Sequence, residues 1–193
     1  MAVSVEDAQN MISNNPRDIP RIVPGRACGS CMMCCKILRI EELDKPTGVW
    51  CKHAVTGKGC GIYDDRPRTC RAFFCNWMRD ASLGPEWKPD RARLVVHVQP
   101  NGTNLEVSVD PSFPRAWTRQ PYYALIKRWA QGSAQHRRYV FVSIGERVIV
   151  VLPDRDSDIG RVSRDDHVII TRRVGPAGLV FDIEVKRGVV VKA

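Results

Sequence analysis

Eight cysteines carry the chemistry legible in this chain, and all of them fall between Cys28 and Cys75. The first block reads Cys28-Gly-Ser-Cys31-Met-Met-Cys34-Cys35. Two intervening residues let both sulfurs of a C-x2-C turn face one ion, which is why this spacing recurs in zinc sites. The C-x2-C-x2-C register also matches the run that wraps three corners of a 4Fe–4S cluster, with a distant fourth cysteine closing it. Gly29, next to Cys28, favours the tight turn this requires. Cys51, Cys60, Cys70 and Cys75 supply the remaining sulfurs. Spacing alone leaves zinc and iron–sulfur equally open.

Cys34 and Cys35 are adjacent, and neighbouring side chains diverge. The pair therefore points to two sites, or to one multinuclear site in which the two thiols serve different metals. In a sharp iron–sulfur version, Cys28, Cys31, Cys34 and one distal cysteine hold the cluster. Cys35, Cys51, Cys60 and Cys70 then remain for a second metal. Met32 and Met33 would suit a partly apolar shell. Tyr63, Pro67, Phe73 and Trp77 are expected to form an apolar wall. Arg66, Arg68 and Arg71 are candidates to balance thiolate charge or donate to sulfur. His53 is a candidate replacement ligand.

The compartment decides how the cysteines are read. The opening stretch lacks a basic segment followed by an apolar one, so the expectation is a cytoplasmic protein. In a reducing compartment, clustered thiols read as metal ligands or redox groups rather than disulfides or inert buried thiols. No apolar run approaches the ~18 residues that span a bilayer, so no membrane partner is expected. The formal charge is +9 over 193 residues. Metal-bound thiolates would offset part of it, which weakens any step from charge to nucleic acid. A nucleic-acid-binding module is nonetheless one alternative. Arg115, Arg119, Lys127, Arg128, Arg137 and Arg138 interleave with Trp117, Tyr122, Tyr123, Trp129 and Tyr139, the residue types that contact phosphates and stack on bases. Against it, Trp129 falls on the apolar face of a predicted helix. His97, His136 and His167 lie far from the cysteines and are expected in strands or loops without a catalytic role.

The cysteine pattern resembles a known family, the CxxCxxCC zinc- or iron-chelating domain, also called the YkgJ-type cysteine cluster. The matching positions are Cys28, Cys31, Cys34, Cys35 and Cys51, then Gly59, Cys60, Ile62, Tyr63, Arg66, Pro67, Cys70, Arg71, Phe73 and Cys75. The resemblance covers roughly a quarter of the chain and implies metal chelation by these cysteines. Some larger members look like flagellin lysine methylases, which adds a protein-modifying enzyme to the alternatives; an iron–sulfur redox enzyme is the alternative that the C-x2-C-x2-C run itself raises. This chain shows no recognisable S-adenosylmethionine site, and Lys52-His53-Ala54 departs from the Cys-Pro-aromatic sequence of many members.

The elements that must position these residues follow from pattern. Residues 1–24 read as a flexible lead-in with a short helix near Val5 to Met11. Residues 25–80 form the cysteine-cluster domain. It has few helix or strand patterns of its own, so bound metal is expected to supply much of its folding energy. Residues 81–92, with two prolines and a glycine, read as a connector. Residues 93–193 read as a β-rich α+β domain. Arg93 to Val98 and Leu105 to Val109 alternate as strands around an Asn101-Gly102 turn. Pro121 to Ala130 reads as a helix that Gly132 can end. Tyr139 to Ile144 pairs with Arg147 to Leu152, and Val168 to Ile170 with Leu179 to Val185. Asp154 to Asp166 reads as a solvated loop. The fold class is thus α+β: a small metal-stabilised cysteine region followed by an antiparallel sheet with one helix.

Overall fold

A computed structural model describes residues 21–100, 102–176 and 178–188. The helix expected near Val5 to Met11 lies outside them, as does most of the lead-in. The cysteine region folds as short pieces: α1 (Met33–Ile37), a 3-10 turn (Glu41–Leu43), β1 (Ala54–Val55), β2 (Gly59–Cys60), α2 (Arg68–Ala72) and α3 (Asn76–Arg79). Helices of four or five residues are not stable in isolation, so their order comes from what they pack against. A second 3-10 turn (Pro85–Trp87) and α4 (Pro89–Ala92) lead into the larger half. There follow β3 (Leu94–Val98), β4 (Leu105–Val109), α5 (Tyr122–Ala134), β5 (Val140–Ile144), β6 (Arg147–Val151), β7 (Asp156–Arg161), β8 (His167–Gly175) and β9 (Gly178–Lys186).

The α+β class holds, with one correction to the sheet. Strands β3 to β7 form a single five-stranded sheet in chain order, and β4 pairs with β5 in parallel. The sheet is therefore mixed, not antiparallel throughout. A parallel pair needs a crossover, and α5 provides it. The stretch Asp154 to Asp166 is corrected too: its middle is β7, the edge strand against β6. Arg147 bonds Asp158 and Arg161 bonds Glu146 across this edge. Charged residues on an edge strand discourage pairing with another chain. The β8–β9 ribbon is longer than the sequence suggests. In the first hairpin, Asn101 is outside the described residues. Gly102 has φ +71°, and its N–H donates to the Gln99 carbonyl at 2.8 Å.

Helix α5 runs through Gly132 rather than ending there. It ends at Ala134 and is closed by Arg137, which takes the left-handed conformation at φ 56°. Arg138 N–H then reaches the Ser133 carbonyl and Arg137 N–H the Ala134 carbonyl, the paired bonds that close a helix end.

Strand alternation sends side chains to two faces of the sheet. One face (Leu94, Val96, Val107, Val109, Val140, Val142, Ile149 and Val151) buries against Ile126 and Ala130 of α5. Leu83, Trp87 and Ala92 join the same core, so residues 81–92 are a packed part of the larger half. Trp117 and Tyr122 are buried there too, with Tyr123 and Trp129 packed against them. The opposite face is shared. The β8–β9 ribbon covers one end, burying Phe181 with Phe141 and Val150. At the other end Met33 and Ile37, one turn apart on α1, seat on Val95 of β3. The cysteine region is thus docked on the sheet's reverse side. Lys36 fixes it there by reaching Asp110, just after β4, at 2.6 Å, and Ser112 Oγ at 2.9 Å.

Candidate metal centre

All eight cysteines line one open pocket of about 900 Å³, part of it continuous with solvent. The remaining wall is mostly apolar: Leu38, Ile40, Leu43, Ile62, Phe73 and Met78, among others. Tyr63 and Pro67 line it as expected, whereas Trp77 instead packs toward the main core. The cysteines line this pocket although they come from the turn before α1, α1 itself, the segment before β1, β2, α2 and the turn before α3.

Local backbone bonds explain how. Cys31 N–H donates to the Cys28 carbonyl at 2.8 Å, which curls the first C-x2-C into its turn. Cys34 and Cys35 follow on α1. Cys51 N–H donates to the Cys35 carbonyl at 2.9 Å, and Ala54 N–H to the Cys51 carbonyl at 3.0 Å. Ala54 in turn pairs with Cys60 across the hairpin. Thr69 N–H donates to the Glu42 carboxylate at 3.0 Å, which draws α2 and Cys70 toward the turn after α1. On the far side, Arg26 donates to the carbonyls of Trp77, Asp80 and Leu83, and Val23 N–H to that of Met78 at 2.8 Å. These bonds stitch the strand leading to Cys28 onto the segment after Cys75. Cys28 Sγ lies 3.5 Å from Met78 Sδ.

All eight cysteines are free thiols. Burial raises the pKa of Cys28, Cys31 and Cys70, and pushes Cys75 up to about 11. Cys34 hydrogen-bonds Cys35, which together with burial holds the Cys34 proton well above the usual thiol range. The same bond lowers Cys35 to about 7, helped by the charges of Lys45 and Arg66. Cys35 is therefore far closer to a thiolate at neutral pH than Cys28, Cys31, Cys34, Cys70 or Cys75.

Sequence reasoning missed Met78 and Arg39, which line the pocket among others, and Lys45, which lies close to the sulfurs without lining it. Lys45 is buried at 6% exposure, and its Nζ donates to the carbonyls of Lys36 and Leu38. Desolvation lowers its pKa, while the charges of Cys51, Cys35, Cys34 and Cys70 oppose that shift. Two carbonyls hold its ammonium near these four cysteines, though Lys45 does not line the pocket. No spacing rule marks it, because the fold-back between Ile40 and Lys45 creates the placement. Of the three arginines weighed, Arg66 lines the pocket and stacks on Tyr63 at 3.6 Å; Arg68 and Arg71 are not among the lining residues. His53 lines it as well. His97 lies in β3 and bonds Ser108 Oγ at 3.0 Å, and His136 and His167 are likewise outside the pocket.

Eight thiols and one imidazole are the donor set that zinc and iron–sulfur centres take, and the fit is one of donor chemistry and a shared pocket. Among the described residues, no group of three or more His, Cys, Asp or Glu side chains stands in a coordinating arrangement. Also among them, no helix is long and apolar enough to cross a membrane. The chain matches no protein-family model, no curated protein and no solved structure.

Proposed function

We propose that this protein binds zinc or iron through Cys28, Cys31, Cys34, Cys35, Cys51, Cys60, Cys70 and Cys75, in a reducing, cytoplasmic setting, and belongs with the CxxCxxCC cysteine-cluster proteins it resembles. One observation carries the reading: every cysteine of the chain lines the same pocket. Thiols held only as small apolar side chains have no reason to gather from separate segments. Buried Lys45 and pocket-lining Arg66 add to the case, because cations beside sulfur favour the thiolate, the form that ligates metal. Sites filled by four sulfurs leave no position for substrate, so bound zinc would hold the short elements of the cysteine region together.

The apolar wall favours iron–sulfur as a second reading. Met33, Ile37, Leu38, Phe73 and Val95 cluster with Cys31 and Cys75, a low-dielectric lining that suits such a centre. The aromatics between Trp117 and Tyr139 are packed into the cores, three of them buried, so that stretch offers little for base stacking.

Thiol titration tests the proposal. Protein purified without air should show few thiols reactive toward a disulfide reagent until a strong metal chelator is added, after which all eight react. Eight freely reactive thiols before any chelator would overturn it.

A further inference from the structure

Chelation by eight sulfurs leaves their sharing undefined. We infer that they divide into two adjacent four-thiolate centres, Cys28, Cys31, Cys34 and Cys75 in one and Cys35, Cys51, Cys60 and Cys70 in the other. This inference rests on the metal-binding reading above.

The first group is assembled by the backbone around it. Cys28 and Cys31 share a hydrogen-bonded turn. Cys34 follows on α1, which begins two residues after Cys31. Cys75 is brought to them from the far end of the region. Arg26 and Val23 bind the segment before Cys28 to the carbonyls of Trp77, Met78, Asp80 and Leu83, and Met78 Sδ touches Cys28 Sγ. Cys31 and Cys75 also pack against the same buried cluster of Met33, Ile37 and Val95.

The second group is joined by a separate set of bonds. Cys51 is tied to Cys35 through the backbone, Cys60 lies across the hairpin from Ala54, and Glu42 holds α2 with Cys70 beside them. Cys70 lies near Cys35, Cys51 and Cys60, and Cys75 near Cys31 and Cys28. Cys28 and Cys34 are also near Cys35, which places these three at the boundary between the groups. About 100° separates consecutive residues around a helix, and the thiols of Cys34 and Cys35, which bond each other, stand where the two centres meet. The two centres differ in surroundings: the first has an apolar wall, and the second faces Lys45.

Cobalt(II) is the probe. The full chain, purified and stripped without air, is loaded with Co2+ alone. Native mass spectrometry counts ions, and thiolate-to-cobalt absorption reports the ligands. Two ions are expected in the unaltered chain and one in either Cys75→Ala or Cys60→Ala. Cys34→Ala with Cys75→Ala should still hold one ion, whereas Cys34→Ala with Cys60→Ala should hold none. Cys28→Ala and Cys51→Ala give a second pair if either first variant loses the near-ultraviolet signature of the tryptophan-rich core. Loss of both ions from each single variant, or a double-variant pattern opposite to the one expected, would overturn the division while leaving chelation intact. An unaltered chain that takes up no Co2+ would instead overturn the metal-binding reading itself.

Discussion

Gly59 backs directly onto Gly29: a Cβ at Gly59 would sit 2.6 Å from the Gly29 carbonyl oxygen. Gly59 precedes Cys60 and Gly29 follows Cys28, so this approach brings together loops from the two halves of the cysteine pattern. Gly59 also has φ +101°, a conformation that side chains resist. Neither the backbone clash nor the strain can be relieved by rotating a side chain.

Gly59→Ala is therefore expected to destabilise the cysteine region by about 1–3 kcal/mol and to weaken metal retention. Thermal denaturation of the metal-loaded chain checks it. An unchanged midpoint with unchanged metal content would show that the two loops do not need this contact. Gly57→Ala is a useful comparison, because it has a positive φ but open space around its Cβ.

The Lys36–Asp110 pair should matter more than an ordinary surface ion pair. The Asp110 side chain is 1% exposed, and its second oxygen has no hydrogen-bond partner among the described residues. Lys36→Met would strand a buried carboxylate at the joint between α1 and the sheet, at a cost of about 3–5 kcal/mol. Adding Asp110→Ala to Lys36→Met should recover part of that loss. Urea unfolding of the single and double variants decides it; equal stability of all three forms would mean the joint does not depend on this pair.

Labelling of the metal-free chain near pH 7 with iodoacetamide should mark Cys35 well before Cys75. Cys35 has a pKa of about 7, lowered by its bond from Cys34 and by Lys45 and Arg66, while burial pushes Cys75 to about 11. Lys45→Met should slow labelling at Cys35. Peptide mapping reads the order, and uniform labelling of all eight sites would contradict it.

Acid and alkali should act on different forms of the protein. Loading a metal must expel the protons that Cys28, Cys31, Cys34, Cys70 and Cys75 hold more tightly than usual. Apparent affinity should therefore rise by at least about tenfold per pH unit between pH 6 and 8, since each proton released adds a decade. The metal-free fold responds in the opposite sense. Cys75 binds its proton more tightly folded than unfolded, so its contribution is fully present below the ordinary thiol value near 9 and is lost as pH rises toward about 11. Competition titrations and denaturation across that range measure the two trends; a flat affinity between pH 6 and 8 would contradict the first.

The sequence made some features readable and hid others, for physical reasons. Leu105 to Val109 stands as predicted because alternating apolar residues specify one buried face on their own. That the cysteines belong together was legible because all eight fall within one short stretch of the chain, and they line one pocket. By contrast, the pattern of Asp156–Arg161 is that of a loop. It becomes a strand because β6 offers it an edge, and pairing of this kind is a tertiary effect. The parallel β4–β5 pair was hidden for the same reason: alternation does not record strand direction. Gly132 was read as a stop, yet burial of Ile126 and Ala130 beneath α5 supports the helix up to it, and Ala134 buries one residue pair beyond. Lys45 gave no signal at all, since its role depends on where the chain folds back.

The most direct test of the account is elemental analysis of the full chain purified without air, read together with its visible spectrum. The account predicts a stoichiometric metal: close to two zinc ions in a colourless protein, or iron with acid-labile sulfide in a brown one. A chain that emerges free of zinc and iron, and takes up neither when supplied, would contradict it.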